Sequence, residues 1–186
     1  MIKIYKGLMP EDERLKALSI IEEMPDSFWS QSIASQYEVE QLGDYLPVYV
    51  YGAINQIHQD IRHTIEKEFS VNLLPPNFNR GEIFSVDRRT TGYSLPMHKD
   101  FPDEEFLHLL ETPNGKNIIE VTAVFYWNDS FTGGELYFEQ DNFTYSPQAG
   151  DLIVFNSTLQ HEVLEITSGV RYSTQRFFCR PEIDKH

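Results

Sequence analysis

The second half of the chain is a succession of short strand-like runs. β-branched and aromatic residues dominate each run, and turn residues, mainly Gly, Asn and Asp, separate one run from the next. The eight runs cover residues 82–90, 93–100, 118–127, 134–139, 143–145, 151–155, 160–166 and 170–179. Eight short strands behind two helices predict a jelly roll buttressed by those helices.

The first helix is predicted near the N-terminus, after a short strand at residues 2–5. Pro10 precedes three acidic residues, which is typical of a helix start because proline suits the first turn and acidic groups meet the positive end of the helix dipole. We expect this helix to run from about residue 10 to 24 and to carry Leu15 and Ile21 on its buried face.

A second helix is predicted from Gly52 to Phe69, where apolar residues recur at steps of three and four. We expect His58 and His63 to be surface histidines, since their five-residue spacing does not suit two ligands on one helical face. The preceding segment Tyr45–Tyr51 has strand-like content. The predicted class is therefore mainly β (α+β), a jelly roll with N-terminal helices packed against it.

The length of the chain predicts one domain. Its 186 residues are enough to bury a core without a second domain. We expect a single domain over residues 1–186, in which residues 1–80 provide helical support with short strands. Residues 81–180 then form the jelly-roll core that carries the site.

Charge and composition exclude several classes of partner. A net charge of −14 would repel phosphate backbones, so nucleic acid is not an expected partner, whereas a cationic peptide is compatible. The single cysteine, Cys179, allows no intramolecular disulfide and no cysteine-based zinc cluster, which fits a reducing cytoplasm. No apolar run approaches the roughly 18 residues of a membrane span, so no membrane association is expected. The oligomeric state stays open.

Three residues in the strand region carry metal-ligand chemistry. His98 and Asp100 stand at i and i+2, and such residues point to the same side of an extended strand. His161 opens a later strand run, where the mouth of a barrel would lie. Two imidazoles and one carboxylate form the facial triad that holds non-haem Fe(II) and leaves coordination positions open. We therefore predict that these three residues are the catalytic metal ligands.

A hairpin after His161 is expected to place further polar side chains near the metal. If Thr167–Gly169 is a three-residue turn, His161 pairs with Gln175. Arg171 and Ser173 then face the metal side, with Arg171 roughly 13 Å from the level of His161 at about 3.3 Å per residue. Since a guanidinium binds a carboxylate bidentately and keeps its charge when buried, Arg171 suits the far end of a five-carbon dicarboxylate.

The order and spacing of these motifs resemble the 2-oxoglutarate- and Fe(II)-dependent oxygenases, most closely the prolyl 4-hydroxylase-like branch. The resemblance runs from about Ile83 to Phe178. It is carried by Gly92–Asp100 (GYSLPMHKD), Val124–Asp129 (VFYWND), Gly133–Leu136 with Phe138, Pro147–Phe155, and His161–Phe178 with its GVRYS segment.

The resemblance implies a double-stranded β-helix with Fe(II) as cofactor, held by His98, Asp100 and His161. It implies 2-oxoglutarate and O2 as cosubstrates, with ascorbate as a supporting reductant. Arg171 would clamp the distal carboxylate of 2-oxoglutarate, and Ser173 would add a hydroxyl donor. The implied reaction hydroxylates an unactivated C–H bond and releases succinate and CO2.

The resemblance also identifies candidates for further contacts to the cosubstrate. Relatives often hold it with a tyrosine three residues before the glycine that precedes the H-x-D pair, a position that is Arg89 here, so Tyr93 and Tyr126 are the candidates for this role. Arg88 and Arg89 are expected in ordinary surface ion pairs, and contact with a substrate carboxylate or an acidic peptide is the alternative. The insertion at residues 101–116 is a candidate lid.

These implications predict a cytoplasmic Fe(II)- and 2-oxoglutarate-dependent dioxygenase that hydroxylates prolyl residues of a peptide or protein. Two alternatives stay open. One is a hydroxylase of a free amino acid or other small molecule. The other is a non-catalytic jelly-roll module that binds metal or 2-oxoglutarate. The complete triad together with Arg171 favours an enzyme.

Overall fold

The computed structural model describes residues 1–29, 36–38, 47–73, 84–100, 111–112 and 115–181. Within these ranges lie two α-helices, α1 (Glu11–Glu22) and α2 (Val48–Phe69), and one turn of 3₁₀ helix at Asp26–Phe28. The strands in the same ranges are β1 (Ile2–Tyr5), β2 (Gln36–Glu38), β3 (Phe84–Thr90), β4 (Leu95–His98), β5 (Glu111–Thr112), β6 (Gly115–Tyr126), β7 (Phe131–Gly133), β8 (Leu136–Phe138), β9 (Phe143–Tyr145), β10 (Leu152–Asn156), β11 (His161–Val163) and β12 (Ile166–Pro181).

The strands form two antiparallel sheets. The larger sheet has the order β1-β10-β6-β12-β3-β2, with β5 beside β6 and β7 beside β12. The smaller sheet has the order β4-β11-β8-β9. The chain crosses between the sheets repeatedly, for example from β10 in the larger sheet to β11 in the smaller one and back to β12. This winding is the predicted jelly roll, or double-stranded β-helix.

Each face of the larger sheet packs against a different layer because side chains alternate along its strands. In β6, Phe125 and the odd-numbered residues near it join the core beneath the helices, whereas Val124 and Tyr126 join the cluster between the two sheets. Phe155 of β10 lies in the same inter-sheet cluster. A strand of this sheet can therefore present polar residues to the inter-sheet space while its other side packs against the helices.

The helix α1 buries Ile21 as predicted, but Leu15 is replaced on the buried face by Arg14. Its buried residues are Arg14, Ala17, Leu18 and Ile21, which follow the i, i+3, i+4, i+7 spacing of one helical face. Leu15 is 49% exposed, so its predicted burial is wrong. The guanidinium of Arg14 is buried instead because it donates to the Trp127 carbonyl and forms an ion pair with Glu11.

The helix α2 begins at Val48, so the strand-like content of Tyr45–Tyr51 is overridden at residues 48–51, while residues 45 and 46 lie outside the described ranges. His63 is exposed as predicted. His58 is only 1% exposed, so its prediction as a surface histidine is wrong. Its Nδ1 lies 3.1 Å from Nη1 of Arg176 on β12, which means that α2 covers this polar pair.

The predicted pairing between the strand of His161 and the strand of Arg171 is wrong. β11 lies between β4 and β8, with His161 directly opposite His98 on one side. β12 pairs with β3, β6 and β7, and its Ser168 lies opposite Thr132. The residues expected to turn a hairpin instead continue into β12, because the chain leaves the smaller sheet after Val163.

None of the helices in the described part of the chain is both long and apolar enough to cross a membrane. The candidate lid at residues 101–116 lies mostly outside the described residues, with only β5 and the start of β6 inside them. The division of residues 1–186 into a helical support and a jelly-roll core stays a prediction.

Candidate metal centre and its pocket

The three predicted metal ligands converge at one point of the smaller sheet. His98 ends β4, Asp100 follows two residues later, and His161 begins β11 directly opposite His98. One ligand atom from each side chain lies within 4.8 Å of the other two. Nε2 of His98 is 3.5 Å from Oδ1 of Asp100, and Nε2 of His161 is 3.6 Å from Oδ2. The strand pairing therefore brings together residues that are far apart in the sequence.

Both imidazole rings are held by backbone carbonyls two residues upstream. Nδ1 of His98 lies 2.8 Å from the carbonyl oxygen of Pro96, and Nδ1 of His161 lies 3.1 Å from that of Leu159. Because a carbonyl can only accept, each Nδ1 carries the proton in these hydrogen bonds. When a ring in this orientation is neutral, it presents its Nε2 lone pair to the centre, as histidine ligands do in metalloproteins.

A threonine of the larger sheet orients the carboxylate. Oγ1 of Thr122 donates to Oδ2 of Asp100 at 2.7 Å. Thr122 is fully buried on β6, on the same side of the strand as Val124 and Tyr126. Thr122 is not among the predicted site residues, although its even spacing from Tyr126 on one strand indicates that the two share a side.

The electrostatic surroundings of the two histidines differ. Burial lowers the pKa of His161, and the nearby Asp100 carboxylate opposes this without reversing it. Burial also acts to lower the pKa of His98, but the hydrogen bond to Asp100, the Pro96 carbonyl and the charge of Asp100 together raise it above its ordinary value. His161 is therefore neutral at neutral pH, which is the state that a metal ligand requires.

The chemistry of the donor set fits a ferrous ion. Two imidazole nitrogens and one carboxylate, each with an oriented partner, are the ligands of the facial-triad iron sites. No fourth His, Cys, Asp or Glu joins the cluster among the described residues, so coordination positions stay open.

A pocket lies beside the three ligands, between the two sheets, with about 440 Å³ of empty space, part of it open to solvent. Its lining includes His98 and His161. It also includes all four residues predicted to contact a cosubstrate, namely Tyr93, Tyr126, Arg171 and Ser173.

Arg171 lies on the metal side as predicted, although the predicted pairing was wrong. The odd-numbered residues Arg171, Ser173 and Gln175 of β12 line the pocket from the larger sheet, whereas His161 lines it from the smaller sheet. Arg171 is 5% exposed, and its Nη1 donates to the Gly134 carbonyl at 3.1 Å. This guanidinium is therefore held inside the pocket by a backbone contact.

The two tyrosines differ in their surroundings. Tyr126 is 1% exposed, and burial raises its pKa to about 12, with Arg171 opposing the shift and Asp87 adding to it. Its hydroxyl is therefore protonated at neutral pH and can donate. Tyr93 is half-buried, and the guanidinium of Arg89 lies 4.4 Å from the centre of its ring.

The two neighbouring arginines of β3 face opposite sides of the sheet. Arg88 donates to Asp26 at 2.8 Å at the surface, as predicted. Arg89 is 5% exposed and lines the pocket, so its prediction as a surface ion pair is wrong. The alternation along β3 explains the difference, because Asp87 and Arg89 share the side that faces the smaller sheet.

A family model, but no curated protein, matches the sequence of this chain. A family model described as the 2OG-Fe(II) oxygenase superfamily matches residues 84–179, more than half of the chain.

Solved structures share the fold across nearly the whole chain. A Pseudomonas putida prolyl-4-hydroxylase has a TM-score of 0.72 at 17% identity, over 96% of this chain and 92% of that one. A viral collagen prolyl hydroxylase from Paramecium Bursaria Chlorella virus-1, in complex with 2OG, has a TM-score of 0.66 at 16% identity, over 96% and 95%. An oxidoreductase of the 2OG-Fe(II) oxygenase family from Burkholderia pseudomallei has a TM-score of 0.63 at 15% identity, over 95% and 83%. At these identities the likeness shows the fold, while the family model identifies the family: the chain belongs to the 2OG-Fe(II) oxygenase superfamily.

Proposed function

We propose that this oxygenase is an Fe(II)- and 2-oxoglutarate-dependent dioxygenase that hydroxylates prolyl residues of a peptide or protein. The observation that carries the proposal is the convergence of His98, Asp100 and His161 beside a pocket that contains the buried guanidinium of Arg171. Metal ligands next to an anion-binding group suit a dicarboxylate that reaches from one to the other.

In this proposal the three convergent side chains hold the metal, and Thr122 keeps the carboxylate of Asp100 in its orientation. When bound, Fe(II) together with 2-oxoglutarate and O2 supplies the oxidising chemistry that hydroxylates a C–H bond and yields succinate and CO2. The Nδ1 contacts of His98 and His161 to backbone carbonyls fix the orientation of both rings, so that Nε2 of each is aimed at the centre.

The pocket side chains bind and position the cosubstrate. Arg171 binds its distal carboxylate, and the hydroxyls of Ser173 and Tyr126 provide further donors on the same wall. Leu136 and Phe155 lie on the pocket lining and restrict water around the bound molecule. Tyr93 flanks the arginine end of the pocket.

A prolyl substrate is supported by the kind of proteins that share the fold. Two of the three solved structures described above are named as prolyl hydroxylases, one of them for collagen. The side chain of His98 is 30% exposed, which allows a substrate to approach the metal side from solvent. The net charge of −14 is compatible with a cationic peptide as the partner.

The experiment incubates purified protein with Fe(II), ascorbate and 2-oxoglutarate, together with panels of proline-containing peptides, free amino acids and other small molecules. Succinate formation and a mass gain of one oxygen on a prolyl peptide are the expected results. If only a free amino acid or another small molecule gains oxygen, the prolyl-peptide proposal is wrong and the protein is a small-molecule hydroxylase. No succinate with any candidate, from folded and metal-loaded protein, would favour the non-catalytic binding module.

The matched variant is His161→Ala. It should lose turnover because one of the three ligand atoms is gone. It should also lose some stability because a buried ring that packs against Phe138 and Phe155 is removed, so a cooperative unfolding transition in the absence of metal is the check that the variant is folded. Unchanged turnover would contradict the assignment of His161 as a ligand.

A further inference from the structure

Two buried arginines lie next to each other at one end of the pocket. Arg89 on β3 is directly opposite Arg171 on β12 in the strand register. Each is 5% exposed, and both line the pocket. Their guanidinium carbons lie 4.4 Å and 5.8 Å from the centre of the Tyr93 ring. Two positive charges brought together in this way repel each other and lose hydration, so an anion beside them would be strongly stabilised.

The charges of the pocket wall do not cancel. Asp87, the one acidic residue on the described lining, has its Oδ2 3.6 Å from Nη2 of Arg89. One carboxylate against two guanidiniums leaves a charge of about +1 at this end of the pocket, since an arginine keeps its proton when buried. A single further carboxylate would neutralise it.

The hydrogen-bond donors point to the same ligand. Nε and Nη1 of Arg89 and Nε of Arg171 are buried and have no hydrogen-bond partner among the residues that the structure describes. Buried donors without acceptors are costly and rare in native structures. A carboxylate has two oxygens that can accept about four hydrogen bonds, so it can satisfy donors from both arginines at once.

We propose that Arg89 is a second anchor for the dicarboxylate cosubstrate, so that its distal carboxylate is held between Arg89 and Arg171. The inference rests on the proposed function, since it concerns the same cosubstrate. It assigns a binding role to the β3 arginine, and it makes a pair of guanidiniums the feature that selects a dicarboxylic over a monocarboxylic 2-oxoacid.

The test measures binding rather than turnover. Protein loaded with Mn(II) is titrated by calorimetry with 2-oxoglutarate and, separately, with 2-oxobutyrate, which keeps the 2-oxoacid group but lacks the distal carboxylate. Arg89→Met should weaken 2-oxoglutarate binding by about 10-fold to 100-fold, the loss expected for a charge-assisted hydrogen bond. Its effect on 2-oxobutyrate should be small. The difference between the two ligands isolates the contact with the distal carboxylate.

The matched control is Arg88→Met, one residue earlier on the same strand. Arg88 faces the other side of the sheet and pairs with Asp26, so its loss should leave both affinities unchanged. Arg89→Met leaves the buried carboxylate of Asp87 without its ion-pair partner. A double variant, Arg89→Met with Asp87→Asn, removes both charges of this pair. This double variant should show the same selective loss of 2-oxoglutarate affinity.

The outcomes separate this inference from the proposed function. Wild-type affinity for 2-oxoglutarate in folded Arg89→Met, with loss of binding in Arg171→Met, overturns the second anchor and leaves the proposed function standing. Equal weakening of both ligands by both Arg89 variants also overturns it, because the distal carboxylate is then not involved. Absence of 2-oxoglutarate binding to the metal-loaded wild type overturns the proposed function and this inference with it.

Discussion

Replacing Thr122 by Val should weaken metal binding without disturbing the fold. The substitution keeps the volume of the side chain and removes the hydroxyl that donates to Oδ2 of Asp100 at 2.7 Å. The Asp100 side chain is 6% exposed, so water cannot readily replace the lost donor. A carboxylate that is free to rotate no longer keeps its oxygen aimed at the point shared with the two histidines.

The expected loss is about 10-fold to 100-fold in metal affinity, or about 1.4–2.7 kcal/mol, which is typical when a partner of a metal ligand is removed. Titration with Co(II) in competition with a chelator of known affinity measures it directly. The metal-free variant should also lose about 1–3 kcal/mol of stability in urea unfolding, because a buried carboxylate loses a hydrogen bond.

Thr174→Val is the matched control. Thr174 is fully buried on β12, and its hydroxyl accepts a hydrogen bond from Nε1 of Trp127 at 2.9 Å, on the helix side of the larger sheet. Its loss leaves a buried donor unpaired and should cost about 1–3 kcal/mol of stability with no change in metal affinity. Equal weakening of metal binding in both variants, or wild-type affinity in Thr122→Val, would refute the orienting role.

Two further predictions concern stability. Burial, with the charge of Arg176 adding to it, holds the pKa of His58 well below its ordinary value, so only the unfolded chain takes up this proton as pH falls below about 6.5. Below that pH, the free energy of unfolding of the wild type should therefore fall by up to about 1.4 kcal/mol per pH unit because of this group. Urea unfolding at pH 7.5 and 5.5 should show a smaller fall for His58→Gln. An equal fall in both proteins would contradict the buried neutral state. Gly133 has a φ of +74°, and an added Cβ would overlap the Glu165 carbonyl oxygen, so Gly133→Ala should destabilise by about 1–3 kcal/mol. Gly52 lies in α2 with nothing within 4 Å of an added Cβ, so Gly52→Ala should stabilise the fold by about 0.5–1 kcal/mol. If thermal unfolding shows that both alanine variants are stabilised, or both destabilised, the steric argument is refuted.

The faces of the strands were easier to predict than their partners. The spacing of Arg171 and Ser173 predicts that they share one side of their strand, because alternation depends only on local geometry. Which side faces the metal was predicted from the pairing with His161; that pairing is wrong, although both residues do line the pocket. The strand that pairs with β12 depends on where the chain crosses between the sheets. The sequence of Thr167–Gly169 is compatible both with a hairpin turn and with the first residues of β12, which pair with β7. The predicted position was therefore right and the predicted pairing wrong.

Buried polar residues account for most of the other differences. Hydrophobicity favours Leu15 over Arg14 for the core, yet Arg14 is buried because the Trp127 carbonyl, more than a hundred residues away in the chain, accepts its hydrogen bond. His58 likewise lies inside the fold beside Arg176, more than a hundred residues away in the chain. Arg89 lies inside the fold opposite Arg171 of the distant strand β12. A sequence read locally does not show such partners, so it places these residues at the surface.

The three metal ligands could be predicted because few residue types bind iron and because their spacing is visible in the sequence. An H-x-D pair and a later histidine opening a strand are local patterns, and the structure brings the ligand atoms of His98, Asp100 and His161 within 4.8 Å of one another, although β4 ends at His98 and Asp100 lies beyond the strand. Thr122, the partner of the Asp100 carboxylate, lies on β6 in the opposite sheet, and no local pattern links it to Asp100.

The most direct test is an anomalous difference map from crystals grown with Fe(II) under anaerobic conditions, recorded at the iron absorption edge. We predict one peak per chain, at coordination distance from Nε2 of His98, from the carboxylate of Asp100 and from Nε2 of His161. A peak bound by other residues, or a metal-loaded crystal in which either imidazole does not contact the ion, would contradict the account.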